Sequence, residues 1–333
     1  MITPFYIDDD VFKDEKLKSS NAVHDLFLYL WRNYGVLVLN NEEEINVKIR
    51  ENLQLIPIKH RIKWQVAFTD FPKIFDTDLN IDTNFSDVNK VDDVVQYSQH
   101  FNTLILEETT LSVLQDLDNF ESCIKKIAQF ECLDIDSLGE SKNFNTSKAI
   151  FSLSLEKGLC TQEFLNTRLL QLFRITKSII VVDRYLLKND IFEPKSSRAL
   201  INFFSFLRRQ KIFIKDITII SSDIGFTGTV PRDILVENFI RKEIKDYNCK
   251  RLKILIKEDS YFKSEAHDRY VLTDDYIISI GTGLGEVIGH KIIQRTTDFK
   301  CCFRQNNSVG VGLVRAANTI NRDKEKMIVL ENT

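Results

Sequence analysis

An α/β fold is predicted for this 333-residue chain by three observations. The second half runs strand, helix, strand, helix, strand, the rhythm of a largely parallel sheet covered by helices. The first half alternates short β-like runs with helical periods. The composition, 43% hydrophobic and 28% charged with only 11 Gly and 5 Pro, is that of a folded chain. It excludes extensive disorder, a collagen-like repeat and a disulfide scaffold as main descriptions. The length favours two domains or one elaborated α/β unit.

In the first half, Phe5–Ile7, Val36–Leu39, Trp64–Phe68 and Thr103–Leu106 are strand-sized and rich in β-branched or aromatic residues. From Glu43 to Leu53, apolar residues recur at Ile45, Ile49 and Leu53, a helical spacing. Asp76–Asp93 is rich in Asp, Asn and Thr and reads as a long acidic loop. Polar Ser137–Ser147 marks the domain boundary, and Thr161–Phe173 is helix-like. The expected division is therefore an acidic mixed α/β domain over 1–145, a helical connector over 146–176 and a second domain over 177–333.

In the second half, Ser178–Val182 is an apolar strand ending at Asp183. Ser196 or Ser197 can cap a helix with Leu200, Phe203, Phe204 and Leu207 on one face. Ile217–Ile220 is the next buried strand, and Pro231 opens a helix with Leu235, Phe239, Ile240 and Ile244 inward. Leu252–Ile256 is the third strand. A polar loop, Lys257–Ala266, leads to a β-hairpin turned at Asp274-Asp275, with a glycine-rich exit at Gly281-Thr282-Gly283-Leu284-Gly285.

The N-terminus becomes acidic at once and lacks an apolar leader, so a cytoplasmic protein is expected. Six cysteines without a C-x-x-C pair read as reduced, structural thiols. The net charge of −3 conceals an asymmetry. From Thr176 onward there are 27 Lys and Arg against 20 Asp and Glu, whereas the first 175 residues hold 18 against 28. The basic half suits a phosphate-rich partner; the acidic half suits a basic partner protein.

His267, Arg269 and Asp274 follow the spacing H-x-[K/R]-x4-D, with Gly281-Thr282 one strand later. Residues two apart on a strand face the same side, so His267 and Arg269 can address one phosphate. Metal-free phosphodiester cleavage wants an imidazole nucleophile, a cation on the non-bridging oxygens and a carboxylate to fix the imidazole tautomer. Small residues at Gly281, Thr282 and Gly283 let the backbone approach the phosphate.

These residues resemble a variant of the HKD motif of the phospholipase D superfamily, H-x-K-x4-D followed by Gly-Ser-x-Asn. Asp183-Arg-Tyr185 at a strand end, two βα units and His267-Asp-Arg resemble the single-motif branch. That branch includes the C-terminal domain of MIT-domain-containing proteins and prokaryotic conflict-system relatives. The resemblance spans about Lys177 to Arg304. It implies a phospholipase D-like sheet covered by helices over 177–333. Arg269 stands where the superfamily has Lys, and Leu284 where it has Asn.

With one motif, a homodimer would be needed to bring two copies of His267 together. The resemblance thus implies a metal-independent phosphodiesterase, a nuclease of antiphage defence, forming a phosphohistidine at His267. Arg269 would neutralise the phosphoryl oxygens, and Asp274 or Asp183 would orient the imidazole. Tyr185, Gly281, Thr282 and Gly283 would contact substrate. No cofactor or metal is expected, and nucleic acid and a second copy are the expected partners. The alternative is an inert module binding nucleic acid or anionic lipid headgroups.

Three other patterns in the sequence bear on function. The glycines after Ile280 lack the third glycine of a dinucleotide loop at its required offset. His24, His60, His100 and His290 lack the spacing that a metal-dependent His-Asp hydrolase needs. Asp8, Asp70 and Glu107 or Glu108 each follow a predicted strand, where gathered carboxylates can hold Mg2+ in PIN-like folds, although such residues are also common turn formers.

Overall fold

The computed structural model describes residues 2–81, 84–193, 197–244, 247–264, 269–304 and 327–331. The chain divides between Ala149 and Ile150 into two compact α/β units.

In the first unit, five parallel strands lie in the order β3-β2-β1-β4-β5: β1 Thr3–Ile7, β2 Gly35–Leu39, β3 Lys73–Phe75, β4 Thr103–Leu106 and β5 Glu131–Asp134. Strand alternation sorts the core onto two faces. Phe5, Ile7, Leu37, Leu39 and Ile105 pack with Trp31, Trp64 and Phe68. Tyr6, Val38, Leu104 and Leu106 pack with Phe85, Tyr97 and Phe101.

Trp64–Phe68, expected as a strand, lies inside the helix Ile58–Asp70. The aromatics suggested β structure, but His60, Trp64, Ala67 and Phe68 are buried at helical spacing. The strand here is Lys73–Phe75, and Asp70 closes a helix instead of a strand. The acidic stretch 76–93 is anchored by buried Leu79, Phe85, Val88 and Val91. Edge strand β5 was not anticipated, because Glu131 and Asp134 disguise it.

In the second unit, seven strands lie in the order β11-β10-β9-β6-β7-β8-β12. The parallel centre comprises β6 Ser178–Val182, β7 Ile214–Ser222 and β8 Cys249–Lys257, as the βαβαβ rhythm required. On one side, β9 Tyr270–Leu272, β10 Tyr276–Ile280 and β11 Phe299–Phe303 add antiparallel, and the β9–β10 hairpin turns at Asp274-Asp275. On the other, β12 Met327–Glu331 pairs antiparallel with β8.

The helix Ala199–Arg209 buries Leu200, Phe203, Phe204 and Leu207 as its period predicts. Its first amides are not capped by Ser197. Instead, Asp190 accepts from Ala199 N at 2.9 Å and Leu200 N at 2.7 Å, and Ser197 donates to the same carboxylate. Ser196 lies outside the described residues. In the helix Arg232–Glu243, Ile240 and, just past its end, Ile244 are buried as expected, whereas Leu235 and Phe239 are half-buried and Val236 takes the inner place. Residues 150–176 pack within the second unit: Leu155 and Thr297 exchange backbone hydrogen bonds, and Cys160 bridges to Ile292.

No helix among the described residues is long and apolar enough to cross a membrane.

Candidate phosphate-binding site

The candidate site sits at the carboxyl end of β6, where β9 runs back antiparallel. Val182 pairs with Tyr270, so the next residues outward, Asp183 and Arg269, lie side by side. This is the sheet edge at which α/β folds usually place ligands.

Asp183 is almost wholly buried, at 2% exposure. Its Oδ1 accepts from Tyr185 N at 3.0 Å and its Oδ2 from Gly285 N at 2.9 Å. Burial pushes its carboxyl above the usual range, opposed by these two amides and by the Arg269 charge. The carboxylate therefore stitches the glycine-rich exit of β10 onto the end of β6.

Gly283 is required by this closeness. Its φ is +92°, and a Cβ there would lie 2.4 Å from Asp183 Oδ2 and 2.5 Å from Arg269 Cδ. At Gly281, a Cβ would meet Thr297 Oγ1 at 2.9 Å; that same hydroxyl accepts from Thr282 N at 2.9 Å.

Arg269 donates from Nη1 to the Gly281 carbonyl at 3.0 Å, and its guanidinium lies 5.2 Å from the Tyr185 ring centre. Arg184 lies 5.1 Å from the same ring and is held by Asp259 through two bonds of 2.7 Å. The Tyr185 ring is thus in cation–π range of both guanidinium groups.

A cavity of about 230 Å³ opens over this cluster, lined by Asp183, Tyr185, Asn189, Arg269, Thr282, Glu286 and Arg295. Glu286 Oε1 accepts from Arg295 Nη2 at 3.2 Å. Thr282 Oγ1 is buried and has no hydrogen-bond partner among the described residues.

The structure thus brings Asp183, Tyr185, Arg269 and Thr282 to one cavity, with Gly281 and Gly283 shaping its floor. It does not bring Asp274 there. Asp274 Oδ2 accepts from Thr176 Oγ1 at 3.0 Å, Lys177 N at 2.5 Å and Ser178 N at 3.3 Å, at the opposite end of β6. Five residues of strand, roughly 16 Å, separate it from Asp183. The x4 spacing from Arg269 leads along a hairpin arm to its turn, which is a strand length away. His267 and Asp268 lie outside the described residues.

Asn189, Glu286 and Arg295 escaped the sequence reading. Glu286 carried one usable signal: it lies three residues beyond Gly283 in the short helix Leu284–Ile288.

Of the strand-end carboxylates of the first unit, Asp8 and Glu107 share the carboxyl end of the adjacent parallel strands β1 and β4, whereas Asp70 follows no strand. Asp8 follows β1, Asp70 ends a helix and Glu107 caps the helix Glu108–Gln115 through Thr110 N at 3.1 Å. Among the described residues, no three His, Cys, Asp or Glu side chains gather as a metal-ligand group.

No family model matches the chain, and no curated protein matches it. Among solved structures, phosphatidylserine synthase of Haemophilus influenzae Rd KW20 is similar to part of it, with 13% identity and a TM-score of 0.30. The match covers 58% of this chain and 47% of that one, so the chain spans about half the length of the structure it matches. A likeness at that score carries no weight for activity, and the chemistry is read from the cavity's own residues.

Proposed function

We propose that the second unit is a phospholipase D-like module whose cavity binds the phosphate of a phosphodiester, and that it acts as a metal-independent phosphodiesterase on nucleic acid. The observation that carries the reading is a cavity at the carboxyl end of β6 lined by Arg269 and Arg295, with Tyr185, Asn189 and Thr282 beside them. Two guanidinium forks at one cavity form a set suited to phosphoryl oxygens.

In the catalytic form of the reading, His267 attacks phosphorus and the ester oxygen leaves with a proton. A second copy's His267 supplies that proton, and water then hydrolyses the phosphohistidine. Asp183 acts as a positioning residue, holding the Gly281–Gly285 backbone against Arg269. The resemblance to conflict-system relatives extends the reading to antiphage defence in the cytoplasm, with the acidic first unit receiving a basic partner protein. The second reading, an inert binding module for nucleic acid or anionic lipid headgroups, uses the same donors without turnover. It is favoured by Leu284, which stands where the superfamily has Asn.

The test is incubation of the full chain with single- and double-stranded DNA and RNA, with and without EDTA, beside a His267→Ala variant. Cleavage that resists EDTA and disappears in the variant is expected. Cleavage equal in both proteins overturns the mechanism, and binding without cleavage selects the inert module.

A further inference from the structure

The opposite end of the same sheet carries a second basic feature. Lys215 lies in β7 between Ile214 and Asp216, whose register partners are Cys249 and Arg251, so Lys250 of β8 is its lateral neighbour. On the other side, the Lys177 carbonyl accepts from Asp216 N at 3.1 Å, which sets Lys177 beside Lys215 just before β6. Three lysines therefore stand at the starts of three adjacent parallel strands, about 4.8 Å apart at the backbone.

Along the chain entering β7, Lys211, Phe213 and Lys215 are exposed while Ile212 and Ile214 are buried. Phe213 is 63% exposed in the midst of these cations. Among the described residues, Lys177, Lys211, Lys215 and Lys250 have no ion-pair partner. Of the carboxylates at this end, Asp216 holds Arg251 at 2.5 Å, Asp274 is turned onto the Thr176–Ser178 backbone, and Glu331 lies opposite Arg251, in register with it and not with Lys250.

We infer that Lys177, Lys211, Lys215 and Lys250, arranged around Phe213, form a docking surface for single-stranded nucleic acid. Unpaired lysines supply sites for backbone phosphates, and an exposed ring among them offers a face on which an unpaired base can stack. A duplex hides those faces, which favours the single strand. Membrane binding would call for several apolar side chains to enter the lipid, and Phe213 is the one large apolar side chain exposed at these strand starts among the described residues. The surface lies a strand length from the Asp183 cavity, so it stands or falls independently of turnover there.

Fluorescence anisotropy of a labelled oligothymidylate of about 20 nucleotides with the full chain tests the surface. Phe213→Ala is expected to weaken binding about tenfold. A Lys215→Glu/Lys250→Glu pair is expected to weaken it at least as much and to reduce the slope of log affinity against log salt by about 1.4. Lys125→Glu, on an exposed lysine of the first unit, serves as the control, and thermal melts confirm folding. Wild-type affinity in both surface variants overturns the inference. So does a native chain that ignores the oligonucleotide but binds phosphatidylserine vesicles through Phe213.

Discussion

Asp183 and Gly285, 102 residues apart in sequence, are joined by a 2.9 Å hydrogen bond from the Gly285 amide to a buried carboxylate oxygen. That bond fixes the exit of β10 over the end of β6 and thereby sets the height of Thr282 and Arg269 above the cavity floor.

Gly283→Ala places a methyl group where Asp183 Oδ2 would be 2.4 Å away, at a φ of +92°. A loss of about 1–3 kcal/mol in urea denaturation and weakened phosphate binding are expected. Gly228→Ala, where a Cβ meets nothing within 4 Å, serves as the comparison and leaves binding unchanged.

Asp274→Ala separates the two acids of the sequence motif. It removes the acceptor shared by Thr176, Lys177 and Ser178, so stability should fall by about 1–3 kcal/mol. Affinity for a phosphodiester should stay within about twofold of the native value. A large affinity loss with unchanged stability would place Asp274 at the cavity after all.

In the first unit, His24 is fully buried, donates through Nε2 to the Leu17 carbonyl at 2.6 Å and accepts from Trp64 Nε1 at 2.8 Å. Its ring stacks on His60 at 3.7 Å. Burial lowers its pKa from 6.5 to about 4. Because the folded value is depressed, the unfolded chain binds more protons between these limits. The contribution is therefore whole above pH 6.5 and lost as pH falls toward 4. Denaturant midpoints measured between pH 7 and pH 4 should fall less steeply in His24→Gln than in the native chain.

Asp8 acts with the opposite sign. Burial first, then the Asp10 charge, raises its carboxyl from 3.8 to about 6, against the pull of Lys48. A raised acid favours folding where it is protonated and costs stability as pH rises through about 6. Its Oδ2 has no hydrogen-bond partner among the described residues. Asp8→Asn should therefore stabilise the protein at pH 7, by at most about 3 kcal/mol, with the gain vanishing near pH 4. Equal stability at both pH values would refute the assignment.

What the sequence disclosed followed from local periodicity. The apolar runs Ser178–Val182, Ile217–Ile220 and Leu252–Ile256 are strand-length, β-branched and flanked by polar segments, and Leu200, Phe203, Phe204 and Leu207 recur at helical spacing. Trp64–Phe68 was misread because aromatic content speaks for β structure, while the spacing of burial becomes visible only once Phe12 and Trp31 are seen packing on it. In the site, Asp183, Tyr185, Arg269 and Thr282 were legible because each lies at or beside the end of a strand. Arg295 was not, because it approaches from a loop after the short helix, and nothing local marks where such a loop folds back. Asp190 was equally hidden, since a cap supplied from outside the helix leaves no local signature.

The most direct test of the central claim is titration of the full chain with a dinucleoside phosphodiester, read by calorimetry, for the native protein, Arg269→Ala and Asp274→Ala. Salt-dependent binding that falls at least tenfold in Arg269→Ala and is kept in Asp274→Ala is the expected result. Equal affinity in the native and Arg269→Ala proteins would contradict the assignment of the cavity as a phosphate site.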